Sequence, residues 1–190
     1  MNQASIFVVP SHQTKERTSG VDYARTLSPM KYLNGYENES MRFHVDFYDI
    51  NETFKVDAHT FERFWMNIAT NYDAVYFNYT IGDWQYAGMG NYMHGMKKKI
   101  IMDVDDAIWY IQPDNVSYEA IKKANGTHIL TCICNDVDYI TTTNRYLKNV
   151  IVDKTTKYHE KITVFPNQID LTLYNRTFSA KDTGEIILMH

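Results

Sequence analysis

Cysteine is almost missing from this chain, with two in 190 residues. Cys132 and Cys134 stand one residue apart, a spacing that serves neither a zinc pair nor a redox pair. Two free thiols are expected. No stretch reaches the ~18 apolar residues that a membrane-spanning helix needs. The amino end, Met1 to Pro10, has no basic flank, and its apolar run from Ile6 stops at Val9. It predicts a first strand and not a secretory signal, and thiols without such a signal point to a reducing, cytoplasmic setting. Basic charge is short as well. The formal net charge is −4, and Lys97-Lys98-Lys99 is the one basic block, so nucleic acid is not the expected partner. Those lysines read as a solvated helix-to-strand turn. Internal repeats and low-complexity tracts are also missing.

What is present is apolar and aromatic. Hydrophobic residues make up 44% and aromatics 14% of the chain, enough to exclude disorder and to bury one ordinary domain's core. Short apolar runs alternate with helical patterns. Strands are expected at Ile6 to Val9, Met41 to Tyr48, Ala74 to Phe77, Ile100 to Met102, Val137 to Thr141 and Ile162 to Phe165. In the second of these, Phe43, Val45 and Phe47 alternate with period two.

Helices are expected over Val21 to Leu33, from an Asp57 cap onward, from Gly82-Asp83 to Met96, over Ser117 to Asn135 and over Arg145 to Val152. Phe61, Phe64, Trp65 and Ile68 fall at i, i+3, i+4 and i+7, a core-facing stripe. Gly88, Gly90 and Gly95 weaken their helix by up to ~1 kcal/mol each against alanine, which a close backbone approach would explain. Strands joined by helical crossovers predict an α/β fold, a Rossmann-like, doubly wound and mostly parallel sheet of about six strands. After Pro166 the chain turns polar and turn-rich, then Ile186-Ile187-Leu188-Met189 opens a new apolar run. Residues 1–166 are therefore expected to form one domain, with 167–190 a linker and the first strand of another.

The most chemically committed stretch is Lys99 to Trp109, where a short apolar strand empties into Asp103, Asp105 and Asp106. Acids at the carboxyl end of a buried strand sit where open α/β sheets bind ligands. Three so close repel one another and need a cation, a hydroxyl, a shared proton or a basic partner. The plain alternative is a solvated, acidic strand end.

Three stretches together resemble a known family. Ser19 to Arg25, followed by Pro29 and Leu33, resembles the first loop and helix of GT-B glycosyltransferases. Ile100 to Trp109 is similar to a segment of their bacterial and phage members tied to cell-surface polysaccharide. Asp138 to Thr143, then Lys161 to Asp170, matches the strand and the Pro-Asn that close the amino-terminal domain in that group. The resemblance implies the acceptor-side half of a two-domain enzyme, retaining or inverting. Such an enzyme moves a sugar from a nucleotide-diphosphate sugar to a carbohydrate or other hydroxyl acceptor and requires no metal or other cofactor. The family's second half holds most donor contacts, including a paired-glutamate motif, and no Glu-x7-Glu pair follows Pro166 here. The 190 residues alone are therefore expected to bind donor poorly and to be inactive.

On this reading Asp105 and Asp106 are the catalytic candidates, one of them accepting a proton from the acceptor hydroxyl. If the strand continues they point to opposite sides. Ser11, Gly20, Arg25 and Asn78 are the acceptor-binding candidates, and Asn167 faces the interdomain cleft. Arg25 offers a two-pronged clamp for a phosphate or carboxylate, its alternative being a surface ion pair. His12 and Thr14 lie beside Ser11, and Tyr79 beside Asn78, at the same rim. His94, His128 and His159 lack the spacing for a shared metal.

Other chemistries stay open on the residues alone. Asp103 and Asp105 also fit the nucleophile and acid of haloacid-dehalogenase-like phosphatases. They fit as well a metal-holding Asp-x-Asp of GT-A transferases, which would take Mg²⁺ or Mn²⁺. A non-catalytic doubly wound module that binds a glycan or a partner is the alternative from another class. Peripheral membrane contact is compatible with all of these, and the sequence leaves the oligomeric state open.

Overall fold

The computed structural model describes residues 2–10, 22–47, 58–79 and 83–167. Strand β1 (Asn2–Val9) is followed by a π-helical turn (Asp22–Leu27) that runs into helix α1 (Ser28–Leu33) and β2 (Met41–Phe47). Then come α2 (Ala58–Asn71), β3 (Ala74–Asn78), α3 (Asp83–Gly95) and β4 (Lys99–Val104). The remainder is α4 (Tyr118–Lys123), α5 (Gly126–Asp136), β5 (Tyr139–Thr142), α6 (Arg145–Lys154) and β6 (Ile162–Val164). Short 3₁₀ turns at Ile108–Tyr110 and His159–Lys161 follow no periodic pattern, and the sequence does not announce them. Among the described residues no helix is long and apolar enough to cross a membrane.

The strands form one six-stranded sheet of order β2-β1-β3-β4-β5-β6, every neighbouring pair parallel. The expected α/β, Rossmann-like architecture is thus present. The step from β1 to β2 runs opposite to all later steps. Right-handed crossovers therefore place α1 on one face and the later helices on the other. The strand order reverses between β1 and β3, which makes that crevice the topological switch point.

Period-two alternation divides the core in two. Phe7, Val75, Phe77, Ile100, Met102 and Ile140 pack with Trp65, Ile68, Met89, Met93, Ile133 and Ile151 from the later helices. The α2 stripe is core, as expected: Trp65 and Ile68 are buried, with Phe61 and Phe64 against them. The opposite face carries Ile6, Val8, Val45 and Tyr76, with Met30 and Leu33 of α1, Phe43, Phe47 and Ile101 packed on it. Past α1 this face stays open as an apolar groove of about 480 Å³ bordered by Met30, Tyr76, Ile101, Thr141 and Phe165.

Three sequence expectations are modified. The single helix over Ser117 to Asn135 is broken at Asn125, whose φ of 53° is left-handed. Asparagine tolerates that conformation, and the helix restarts at Gly126. Of the helix expected over Val21 to Leu33, Asp22–Leu27 is π-helical. Third, the α3 glycines do not act alike. A Cβ on Gly88 would lie 2.4 Å from Phe61 Cε1, the anticipated close approach, whereas Gly95 has nothing within 4 Å. The lysine block does form the helix-to-strand turn. Lys97 takes a left-handed φ of 57°, Lys98 lies 3.5 Å from Asp73, and Lys99 bonds Asp138 at 2.8 Å. Asp57 and Gly82 lie outside the described residues.

Candidate functional site

Register sets the site. Asn78 of β3 pairs with Asp103 of β4, Asp103 with Thr141 of β5, and Thr141 with Thr163 of β6. A polar row therefore crosses the sheet near its carboxyl end, on the α1 face, because period two turns Asp103 away from Met102 and Val104. Asn78 and Asp103 are buried. A buried carboxylate in an apolar sheet requires a countercharge or a set of donors.

Arg25, on the π-helical turn above this face, supplies both. It is 1% exposed and Asp103 is 0% exposed. Arg25 Nε donates to Asp103 Oδ2 at 3.0 Å, and Nη2 donates to Asp103 Oδ1. The remaining fork nitrogen, Nη1, donates to the Phe165 carbonyl and lies 3.4 Å from Asn167 Oδ1. Thr141 Oγ1 donates to Asp103 Oδ1 at 2.6 Å, and Tyr76 Oη donates to the Arg25 carbonyl at 3.2 Å. The Phe165 ring centroid lies 5.6 Å from Arg25 Cζ. Burial works against the Arg25 charge, but Asp103 outweighs it and holds the guanidinium pKa above its usual value. Burial, then Asp103, raises the Tyr76 hydroxyl in the same way.

The two acids beyond β4 part company. Asp105 is half-buried, and its Oδ1 is enclosed with no hydrogen-bond partner. Burial first, then the charges of Asp103 and Asp106, push its pKa up to about 6. Asp106 is exposed and accepts a bond from Tyr79 Oη at 3.2 Å. Tyr79, just past β3, is raised by burial and then by Asp105 and Asp106, so it stays a neutral donor. One carboxyl is buried and paired, one is half-buried and poised near neutrality, and one is exposed and held by a tyrosine.

Of the residues singled out in the sequence, Arg25, Asn78, Asp103, Asp105, Asp106 and Asn167 converge on this one edge. Ser11 and Gly20, with His12 and Thr14, lie outside the described residues. Arg25 is not at the surface, where an acceptor clamp or a solvated ion pair would sit, because its donors are spent inside the protein. Asp103 has no outward-facing oxygen to attack phosphorus or hold a metal, which weakens the phosphatase and Asp-x-Asp alternatives. Thr141 and the Phe165 carbonyl are site components that sequence reasoning did not assign to this network. The available signal was an arginine set among Ala24, Leu27 and Met30 of a helical stretch and an aspartate on the buried face of a strand, each needing the other.

No family model matches the chain, and no curated protein matches it. Among solved structures it is similar to HepE of Anabaena in complex with UDP and glucose, with a TM-score of 0.54 and 11% identity over 89% of this chain and 46% of that one. HepE in complex with UDP-glucose gives a TM-score of 0.54 and 10% identity, covering 90% of this chain and 45% of that one. At such identity the likeness is one of fold, and the chain spans just under half the length of HepE.

Proposed function

We propose that this chain is the acceptor-side half of a two-domain sugar transferase of GT-B type. Residues 1–166 would form the first domain, and 167–190 would lead into the second. The whole enzyme moves a sugar from a nucleotide-diphosphate sugar to a hydroxyl on a carbohydrate or similar acceptor. The observation that carries this is the fold match, which spends nine-tenths of this chain on less than half of a protein that binds UDP-glucose. The acidic rim lies at the carboxyl ends of the parallel strands, where doubly wound sheets bind ligands.

In this function Asp105 is the general base. Transfer requires loss of the acceptor hydroxyl's proton as its oxygen bonds the sugar's anomeric carbon and the bond from that carbon to the nucleoside diphosphate breaks, and a base is most effective with a pKa near the working pH. Asp105 has that property through burial and two like charges. Asp106 and Tyr79 line the outer side of the rim, where a sugar hydroxyl can bond either. Closure of the second half over this edge excludes water and completes the donor site.

Calorimetric titration tests the division of labour. A nucleotide-diphosphate sugar such as UDP-glucose should give no saturable heat with these 190 residues and should bind the polypeptide extended past His190. Tight donor binding by the 190 residues alone would overturn the two-half assignment.

A further inference from the structure

Three separate segments meet at Arg25: the π-helical turn that carries it, the end of β4 through Asp103, and the exit of β6 through Phe165 and Asn167. Nothing in transfer chemistry requires an arginine that is 1% exposed. A buried ion pair is also weak evidence of a stabilising role, because apolar replacements often do as well. Its geometry is more specific than its energy. The guanidinium is planar, and its fork satisfies Asp103 on one side while the third nitrogen reaches the Phe165 carbonyl and Asn167 on the other. A lysine ammonium, a compact charge with tetrahedral donors, cannot serve both sides in one plane. β6 is three residues long, and its exit is tied to the sheet by one further bond, Phe165 N–H to the Thr142 carbonyl at 2.7 Å.

We propose that Arg25 is a positioning residue, which pins the β6 exit to the end of β4 and takes up the charge of Asp103, so that Asn167 and Asp105 are presented together on the rim. The role rests on the assignment of Asp105 as the rim's proton acceptor. The guanidinium charge also acts on Asp105 directly, pulling that carboxyl down where the Asp103 charge pushes it up. Arg25 itself, buried and bonded inside the fold, touches no substrate.

The test uses the 190-residue chain and needs no substrate, so it is separable from the question of sugar transfer. In Arg25→Lys, hydrogen exchange at the Phe165 amide is expected to accelerate about tenfold or more, a loss of local protection, with Met102 and Ile140 amides changing far less. Because lysine keeps the positive charge, the Asp105 carboxyl, followed by NMR, should titrate as in the wild type, whereas loosened packing would admit water and lower it. Unchanged Phe165 exchange, or a lowered Asp105 titration, would overturn the proposal. So would a uniform loss of protection across the sheet, which marks a purely structural pair. Should Arg25→Lys fail to fold, the exposed Asn167→Ala serves in its place. The Arg25 Nη1–H resonance, from the group that faces Asn167 Oδ1, should shift in that variant, and an unmoved resonance would overturn the proposal equally.

Discussion

Replacing Arg25 with methionine keeps most of the side-chain volume and deletes the charge. Asp103 then remains 0% exposed, and of its three donors only Thr141 Oγ1, at 2.6 Å, survives. Stranding one member of a buried ion pair costs about 3–5 kcal/mol, a large share of the roughly 5–15 kcal/mol that holds a domain together. In a domain of this length each kcal/mol moves the midpoint by about 2–4 °C, so Arg25→Met should melt about 6–20 °C below the wild type. The double variant Arg25→Met, Asp103→Leu removes both charges, leaves the Phe165 carbonyl without its arginine donor and leaves the Thr141 hydroxyl with Tyr76 Oη at 3.3 Å. Those losses come to about 1–3 kcal/mol, so the double variant should be more stable than the single one. Urea unfolding of the four proteins in the cycle measures this directly. A single variant within about 1 kcal/mol of wild type, or a double variant no better than the single, would refute the assignment of a buried, mutually dependent pair.

Asp105 carries a pH signature. Its folded pKa is raised to about 6, so the folded state holds its proton more tightly than the unfolded chain. The stability it contributes is complete below its unfolded pKa and is lost as pH rises through about 6. Asp105→Asn should therefore be more stable than wild type at pH 7, on the order of 1 kcal/mol after allowance for solvent screening, with the advantage vanishing near pH 4. Thermal melts across that range check it, and a pH-independent difference would contradict the cause. Gly88→Ala gains about 0.5–1 kcal/mol of helix propensity but places a methyl 2.4 Å from Phe61 Cε1. Overpacking costs about 1–3 kcal/mol, so a net loss is expected in urea unfolding, and a net gain would mean that Phe61 yields freely.

Local periodicity made most of the fold legible. The inner strands carry short apolar runs, β2 alternates with period two, and the α2 stripe of Phe61, Phe64, Trp65 and Ile68 marks its buried side without reference to the rest of the chain. The break at Asn125 escapes periodicity, because the pattern on either side of it is helical, although Asn125-Gly126 is itself a turn dipeptide. The acids at the end of β4 were visible as a cluster, yet their division into three roles was not. That division depends on which face Asp103 occupies and on a partner 78 residues away in sequence. The sheet register of Asn78, Asp103 and Thr141 creates the buried polar row, and register across crossovers is a tertiary property. Arg25 was legible as a residue of interest and illegible as a buried one, since the same helical position serves a surface clamp or an internal fork.

The most direct measurement compares sugar transfer by the polypeptide extended past His190, wild type against Asp105→Asn, with a panel of nucleotide-diphosphate sugars and released nucleotide as the readout. General-base catalysis contributes about 10²–10⁴-fold, so kcat should fall by that much in Asp105→Asn while donor affinity is unchanged. Full turnover by Asp105→Asn, or a loss confined to donor binding, would contradict the placement of the proton acceptor on this rim.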